Sequence, residues 1–272
     1  MPCMCSPVKL FLLRFVLIAL VSPVVFAWGA TGHRIIGHVA EARLCDSARE
    51  GLALELQGVS LAEAGLWADQ IRDYERWNYS KPWHYINVPD GMDPEYAERS
   101  VKGDVVSAIE MQLEELDYGS NLMRARRQAL RFLIHLLADV HQPLHVGRRE
   151  DLGGNKISVR SGQVRGTSNL HKYWDSDVLA GVAQDPQAYA AGLLARAEPE
   201  LADWEPLELN DWARESAEFR PLIYEFGSAA GQNPVQLDAA YQQQALAIVE
   251  QRLVLAGLRL AAQLDSLYCT TD

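Results

Sequence analysis

Two segments of the chain place a histidine and an aspartate four residues apart: His135-Leu-Leu-Ala-Asp139 and His171-Lys-Tyr-Trp-Asp175. On a helix that spacing puts both side chains on one face, one turn apart. The first pair sits among Phe132, Leu133, Ile134, Leu136, Leu137 and Val140. A carboxylate in such company is costly to bury unless it is paired or bound to a metal. Asp139 needs a partner. His145 follows Pro143 just past the end of the same apolar run and can turn back toward that face. His84 and Asp69 lie beside tryptophans, in Trp83-His84 and Trp67-Ala-Asp69, and His33 lies five residues beyond Trp28. One His/Asp pair on a helix is ordinarily a hydrogen-bonded pair. Two such pairs, with three more histidines, another aspartate and no cysteine, offer the nitrogen and carboxylate donors that suit zinc. The lack of thiolates favours a catalytic ion over a structural one. Two histidines fall outside the set. His38 lies about 140° round a helix from His33, and His141 about 200° from Asp139, so both read as ordinary surface or core histidines.

The elements that must carry these residues read as helices. Helical spacing of apolar residues predicts helices over His33–Leu44, Asp104–Leu116 with Asp104 as N-cap, Ala125–His141, Leu209–Tyr224 and Leu237–Leu267. Pro143 stops the third, because the residue before a proline is pushed out of the helical region. Gly153–Gly162 alternates and then turns, the pattern of a small hairpin or irregular loop. No strand–helix rhythm predicts a parallel sheet, and no Pro-, Gly- or Ser-rich linker divides the chain. The expectation is a single all-α domain.

The 272 residues carry 25 Lys+Arg against 36 Asp+Glu, a net charge of −11. That balance excludes a simple basic patch for duplex DNA, which rests on Lys and Arg neutralising phosphates. Phosphate chemistry here would need positive charge from metal ions. Lys9 and Arg14 precede the apolar run Phe15–Ala27, with Val25 and Ala27 at the small-residue cleavage positions, the pattern of a secretory leader. Ser22-Pro23 interrupts the run and shortens it below a membrane span. Removal of residues 1–27 would leave 245 residues starting at Trp28, with two cations lost and a net charge of −13. The expected product is secreted or periplasmic, with no stable membrane association. It keeps two cysteines, Cys45 and Cys269. Either they pair in an oxidising compartment, stabilising by up to roughly 5 kcal/mol on the chain-entropy view, or they remain two buried thiols. Asn78-Tyr-Ser80 is a glycosylation acceptor by pattern.

Trp28-Gly-Ala-Thr-Gly-His33, Trp67-Ala-Asp69, Trp83-His84-Tyr85, His135-x3-Asp139-x-His-Gln-Pro-Leu-His145, Gly153-Gly-Asn155 and Asn169-Leu-His171-x3-Asp175 occur in that order. Together they resemble the zinc-dependent, single-strand-specific nucleases of the S-one/P-one type, the nuclease/3′-nucleotidases. The matching motifs run from Trp28 to Asp175, and the C-terminal helices match in general character only. The resemblance implies an all-α fold holding three zinc ions in a cleft. It assigns Asp69, His84, His135 and Asp139 to one ion, and His145, His171 and Asp175 to a second. Trp28, through its free α-amino nitrogen and carbonyl oxygen, would hold a third with His33 and Asp139, so Asp139 would bridge. Two ions would hold an activated water whose pKa falls toward ~7, and the third would stabilise the leaving oxygen. Arg72 matches a basic position near the phosphate, its other reading being a surface arginine. Tyr85 matches an aromatic that stacks a base, its other reading being a tyrosine at the core edge. Asn155 matches a base-contacting position. Asn87 stands where fungal relatives often carry Asp, so their base preference does not transfer. The implied substrates are single-stranded DNA and RNA, cut to 5′-phosphorylated products, and 3′-mononucleotides.

Two other readings remain. Zinc phospholipases C also use an N-terminal Trp, but usually end their ligand set with His-x3-Glu and space the first His further from the Trp. Asp175 and the four residues between Trp28 and His33 favour the nuclease. A secreted zinc-binding protein with a degraded site is the non-enzymatic alternative, opposed by the completeness of the ligand set.

Overall fold

The computed structural model describes residues 28–119, 122–199 and 207–269. The expected leader, residues 1–27, lies outside them. The helices in chain order are α1 (Ala30–Glu41), α2 (Asp46–Glu55), the short α3 (Leu61–Ala64) and α4 (Trp67–Ile71), α5 (Val105–Tyr118), α6 (Met123–Val140), α7 (Leu170–Asp175), α8 (Pro186–Ala197), α9 (Leu209–Glu218), α10 (Arg220–Ile223) and α11 (Ala239–Tyr268). The all-α expectation holds.

The centre of the bundle is α6. It packs along α5 and is touched by α1, α2, α3, α4, α9 and α11. Its first two turns carry Arg124, Arg126 and Arg127, whereas every residue from Phe132 to Val140 is buried. A helix enclosed on all sides must be apolar all round, which leaves His135 and Asp139 as the exceptions requiring an explanation. α5 begins where expected: the Asp104 carboxylate accepts the Val106 and Ser107 N–H groups, and the Ser107 hydroxyl accepts the Asp104 N–H, a reciprocal capping box. α11 lies against α1 so closely that a Cβ on Gly257 would meet Val39 Cγ1 at 2.3 Å.

Cys45 caps α2 and Cys269 caps α11, and the two are joined in a disulfide. Of the two readings of these cysteines, the bridge is the one observed. Leu209–Tyr224 is not one helix. It breaks at Phe219, two residues before Pro221, whose ring has no N–H to continue the ladder.

The strands are short. β1 (Ile86–Asn87) pairs in parallel with β2 (Val146–Gly147), and β3 (Ser158–Arg160) lies between antiparallel β4 (Ser168–Asn169) and parallel β5 (Val235–Gln236). The expected hairpin within Gly153–Gly162 is therefore a loop followed by β3, whose partners lie outside that span. The parallel pairs, which no sequence rhythm announced, are two-residue contacts between distant loops. β1–β2 matters functionally, because it fixes the residues after His84 beside those after His145.

Candidate metal centre

Six segments meet around Asp139. His135 lies one turn before it on α6, and both are fully buried. His135 Nε2 and His84 Nδ1 approach Asp139 Oδ2 at 3.1 and 3.0 Å. His33, on α1, places Nε2 3.5 Å from Asp139 Oδ1. Asp69 on α4 lies 3.9 Å from His135 Nε2. Beyond Pro143 the chain turns back, and His145 brings Nδ1 within 3.8 Å of Asp139 and Nε2 within 3.7 Å of Asp175. On α7, His171 Nε2 lies 3.4 Å from Asp175 Oδ2. The donor atoms gather into three groups: His33, His135 and Asp139; Asp69, His84 and His135; and His145, His171 and Asp175. Trp28 is fully buried beside them, its indole N–H donating to the Ala138 carbonyl at 2.8 Å, while the Gly29 N–H donates to the Asp175 carbonyl at 2.9 Å. The first described residue is thus pinned between the two ligand-bearing helices.

The rings are held by their far nitrogens. His135 Nδ1 donates to the Gly65 carbonyl at 2.6 Å, His145 Nδ1 to the His84 carbonyl at 2.6 Å, and His171 Nδ1 to the Gly153 carbonyl at 2.7 Å. Each bond fixes the tautomer and leaves Nε2 with its lone pair turned into the cluster, the outer-shell arrangement of metal-binding histidines. The Gln142 amide donates to Asp175 Oδ1 and orients that carboxylate. Both nitrogens of His33, Asp69 Oδ1, Asp139 Oδ1, His145 Nε2 and His171 Nε2 are buried without a hydrogen-bond partner. Buried polar atoms are rarely left so. Acceptor atoms of nitrogen and carboxylate type, unpartnered and pointed at one another, fit a divalent ion such as zinc. Among the described residues the other gathering of this kind, Cys45, Asp265 and Cys269, is committed to the disulfide.

The buried groups titrate as one interacting cluster. Burial pushes the Asp175 carboxyl up to about 8. Burial also opposes charge on His135, yet Asp139 and Asp69 outweigh it and raise the imidazole to about 9. Burial opposes ionisation of Asp139 as well, but His135 and His145 hold it well below the usual carboxylate range. Burial lowers His33, His84, His145 and His171. Asp139, His33, His84, His145 and His171 are thus biased toward the ionised carboxylate and neutral imidazole that a metal requires, whereas Asp175 and His135 would each give up a proton to bind one.

A cleft of about 220 Å³ opens on His84, His145 and His171. Its walls include Arg72, Tyr85, Asn87 and Asn155, so the four residues read as substrate contacts lie in one cavity. Tyr85 is 40% exposed, placing its ring at the cleft rather than in the core. Sequence reasoning missed Leu152, a wall residue 55% exposed and held at φ +58°. Gly153 and Gly154 follow with φ +60° and +83°, which glycine adopts without cost. The Gly-Gly pair was a visible signal for a tight loop; nothing in the sequence showed that the loop aims Leu152 into the cleft. His38 and His141 stay outside, as read: His38 pairs with Glu41 at 3.2 Å, and buried His141 donates to the Leu137 carbonyl at 2.8 Å.

The arrangement can be compared with known proteins. Residues 28–269 match the family described as S1/P1 Nuclease. The chain belongs to that family. The matched span takes in the C-terminal helices that the motifs left undecided. Relatives include "Endonuclease 2" of Arabidopsis thaliana, 30% identical with 91% of this chain and 92% of the relative covered. "Endonuclease 4" of the same plant is 29% identical, with 89% of each covered. "Nuclease S1" of Aspergillus oryzae is 27% identical, with 88% of this chain and 91% of the relative covered. Members of the S1/P1 nuclease family are phosphodiesterase hydrolases, and this chain is an enzyme of that class. Among the described residues no helix is long and apolar enough to cross a membrane.

Proposed function

We propose that the chain is an exported, zinc-dependent endonuclease that cuts single-stranded DNA and RNA to 5′-phosphorylated products and also dephosphorylates 3′-mononucleotides. In this reading residues 1–27 are removed and residues 28–272 form one catalytic domain. One observation carries it: buried, unpartnered nitrogen and carboxylate atoms of three His/Asp groups meet around Asp139 beside a cleft walled by Arg72 and Tyr85.

Three zinc ions have ligands in Asp69, His84, His135 and Asp139, in His145, His171 and Asp175, and in His33, Asp139 and the freed amine and carbonyl of Trp28. Bound there, zinc supplies Lewis-acid polarisation of a phosphoryl group and a nucleophile active at neutral pH. Asp139 divides its two oxygens, Oδ2 toward His84 and His135 and Oδ1 toward His33, and would thereby contribute to two sites. The carbonyls of Gly65, His84 and Gly153 hold the ligand rings in register, so that few groups must reorganise when a phosphate enters. Arg72, on the cleft wall, offers a guanidinium to a phosphate oxygen. Tyr85 and Leu152 present apolar faces to a base, which suits a strand whose bases are unstacked and can be splayed out. Asn87 and Asn155 add amides that can meet a base edge; Asn155 already donates to the Leu152 carbonyl at 2.8 Å, leaving its Oδ1 as an acceptor.

Metal analysis of the purified protein beside rates on single-stranded DNA, RNA, duplex DNA and 3′-mononucleotides tests this. About three zinc ions per chain and faster hydrolysis of single strands with 5′-phosphate ends are expected. Equal rates on duplex and single strands, 3′-phosphate products, or release of phosphocholine from lipid without release of nucleotides would overturn it.

A further inference from the structure

The chain is strongly acidic, yet residues 152–174 contain no Asp or Glu and carry Lys156, Arg160, Arg165 and Lys172. All four are exposed. The fold gathers this stretch into β3, β4 and the start of α7, where Ser158 pairs with Asn169. A surface groove of about 440 Å³ runs there, with Lys156 and Lys172 on its walls among Ser158, Thr167 and Asn169, and no carboxylate lines it. Arg160 reaches its edge, donating to the Thr167 hydroxyl at 3.3 Å. Lys172 is held by Asp177, 3.0 Å away and itself buried. Asn155 belongs both to this groove and to the cleft beside the metal centre, so the two form one path over the surface. A second acid-free stretch, 118–138, has four arginines too. There Arg126 and Arg127 are spent on Glu55 and on the Leu116 and Glu55 carbonyls, and no residue of it lines the cleft.

We propose that the groove beyond Asn155 is a docking track for the phosphodiester backbone of single-stranded nucleic acid, holding the phosphates that neighbour the one being hydrolysed. The inference rests on the nuclease reading above. Cations lining a groove, with hydroxyl and amide groups between them, bind a polyanion without reading its sequence. On a protein of this net charge, such a track also decides from which side a strand can approach, since the rest of the surface repels it. Short substrates fill the cleft alone; longer ones gain the track.

The test compares a dinucleotide with a single-stranded 12-mer of the same base, as kcat/KM over a range of salt concentrations. The wild type should prefer the 12-mer, with a preference that falls as salt rises. Lys156→Gln with Arg160→Gln should lower kcat/KM for the 12-mer by about tenfold or more at low salt and leave dinucleotide hydrolysis within about twofold. Their salt slope should flatten by about 0.7 per cation removed. Arg124→Gln, an exposed cation away from the cleft, should reproduce the wild type and so controls, per charge removed, for a cation lost elsewhere on the surface. An unchanged length preference in the double variant, equal losses on both substrates, or an equal effect of Arg124→Gln would overturn the track while leaving the nuclease reading intact. Failure of the wild type to cut either substrate would overturn the nuclease reading itself.

Discussion

The segment Leu137–His145 passes between two buried polar networks that are built in opposite ways. On one side Arg252 donates from Nε to the His141 carbonyl at 3.1 Å, and from Nη2 to Ser216 Oγ at 2.8 Å. Arg259 donates to both carboxylate oxygens of Glu215, at 2.6 and 2.8 Å, and to His141 Nε2 at 2.9 Å. The Ser216 hydroxyl donates to the Val140 carbonyl at 2.6 Å. Protein groups close this network, apart from Arg259 Nε. On the other side, in the His/Asp cluster, both nitrogens of His33, Asp69 Oδ1, Asp139 Oδ1, His145 Nε2 and His171 Nε2 lack partners. A satisfied network fixes the end of α6; an unsatisfied one, two residues away, offers its free atoms to a metal ion. Burial of polar groups is common to both. The presence or absence of partners separates a structural role from a ligand-binding one.

Asp139→Asn is the severest way to break this contrast. Outer partners of metal ligands cost roughly 10–100-fold when removed, and a carboxylate shared by two sites should cost more. We expect activity to fall beyond that range and zinc content to drop by more than one ion. Near-normal turnover with full zinc would remove Asp139 from the bridge. Adding one residue before Trp28 in the processed protein should follow in severity. Trp28 is pinned by its indole and by Gly29, so the fold should persist, while an amide nitrogen cannot replace a neutral amine as ligand. One zinc fewer and poor turnover are expected; full zinc with full activity would leave Trp28 a packing residue only.

On the opposite side, Arg259→Leu should act through stability. Removing one partner of a buried ion pair costs about 3–5 kcal/mol; here His141 Nε2 would lose its partner while Glu215 would keep Arg252, so the low end of that range is expected. Melting temperature should fall clearly, while zinc per folded chain stays at the wild-type value when measured below the transition. A variant that kept its melting temperature but lost metal would erase the distinction between the networks. Tyr85→Ala should be milder. A stacked base is worth about 1–3 kcal/mol, appearing mainly in KM, with Tyr85→Phe close to wild type. A lowered melting temperature with unchanged kinetics would return Tyr85 to the core edge.

The two networks were also unequally legible in the sequence. His135 and Asp139 stood out because an apolar run with two polar residues one turn apart has no structural excuse, and helical spacing alone separates His141 from Asp139. Arg252, Arg259 and Glu215 gave no such signal: charged residues on long helices are normally exposed, and only the packing of α9 and α11 on α6 buries the two arginines and brings half-buried Glu215 to them. α8 could have been read from Asp185-Pro186, where the aspartate accepts the Gln187 and Ala188 N–H groups ahead of a proline suited to the first turn. The alternation around β3 was visible, but its pairing was not, since Ser168 and Val235 are joined to it by contacts rather than by pattern. Cys45 and Cys269 left their state open because two cysteines carry no spacing code, and only the approach of α2 to the end of α11 decides it.

The smallest expected effect concerns acid. Burial favours the neutral form of Glu215, but its hydrogen bonds to Arg259 and Arg252 prevail and hold the carboxyl below its ordinary value of 4.5. A group whose pKa is depressed by folding contributes stability that is fully present above the unfolded value and lost as pH falls through the folded one. Glu215→Gln should therefore lower the melting temperature at pH 7, and the gap between wild type and variant should close as the pH is taken below 4.5. Zinc leaves any His/Asp site over the same range as its ligands protonate, so the scan belongs on metal-stripped protein, where only the closed network is read. A gap that stays constant from neutral to acid pH would mean that Glu215 acts by shape and neutral hydrogen bonding alone, and that the two buried arginines owe their place in the core to other partners.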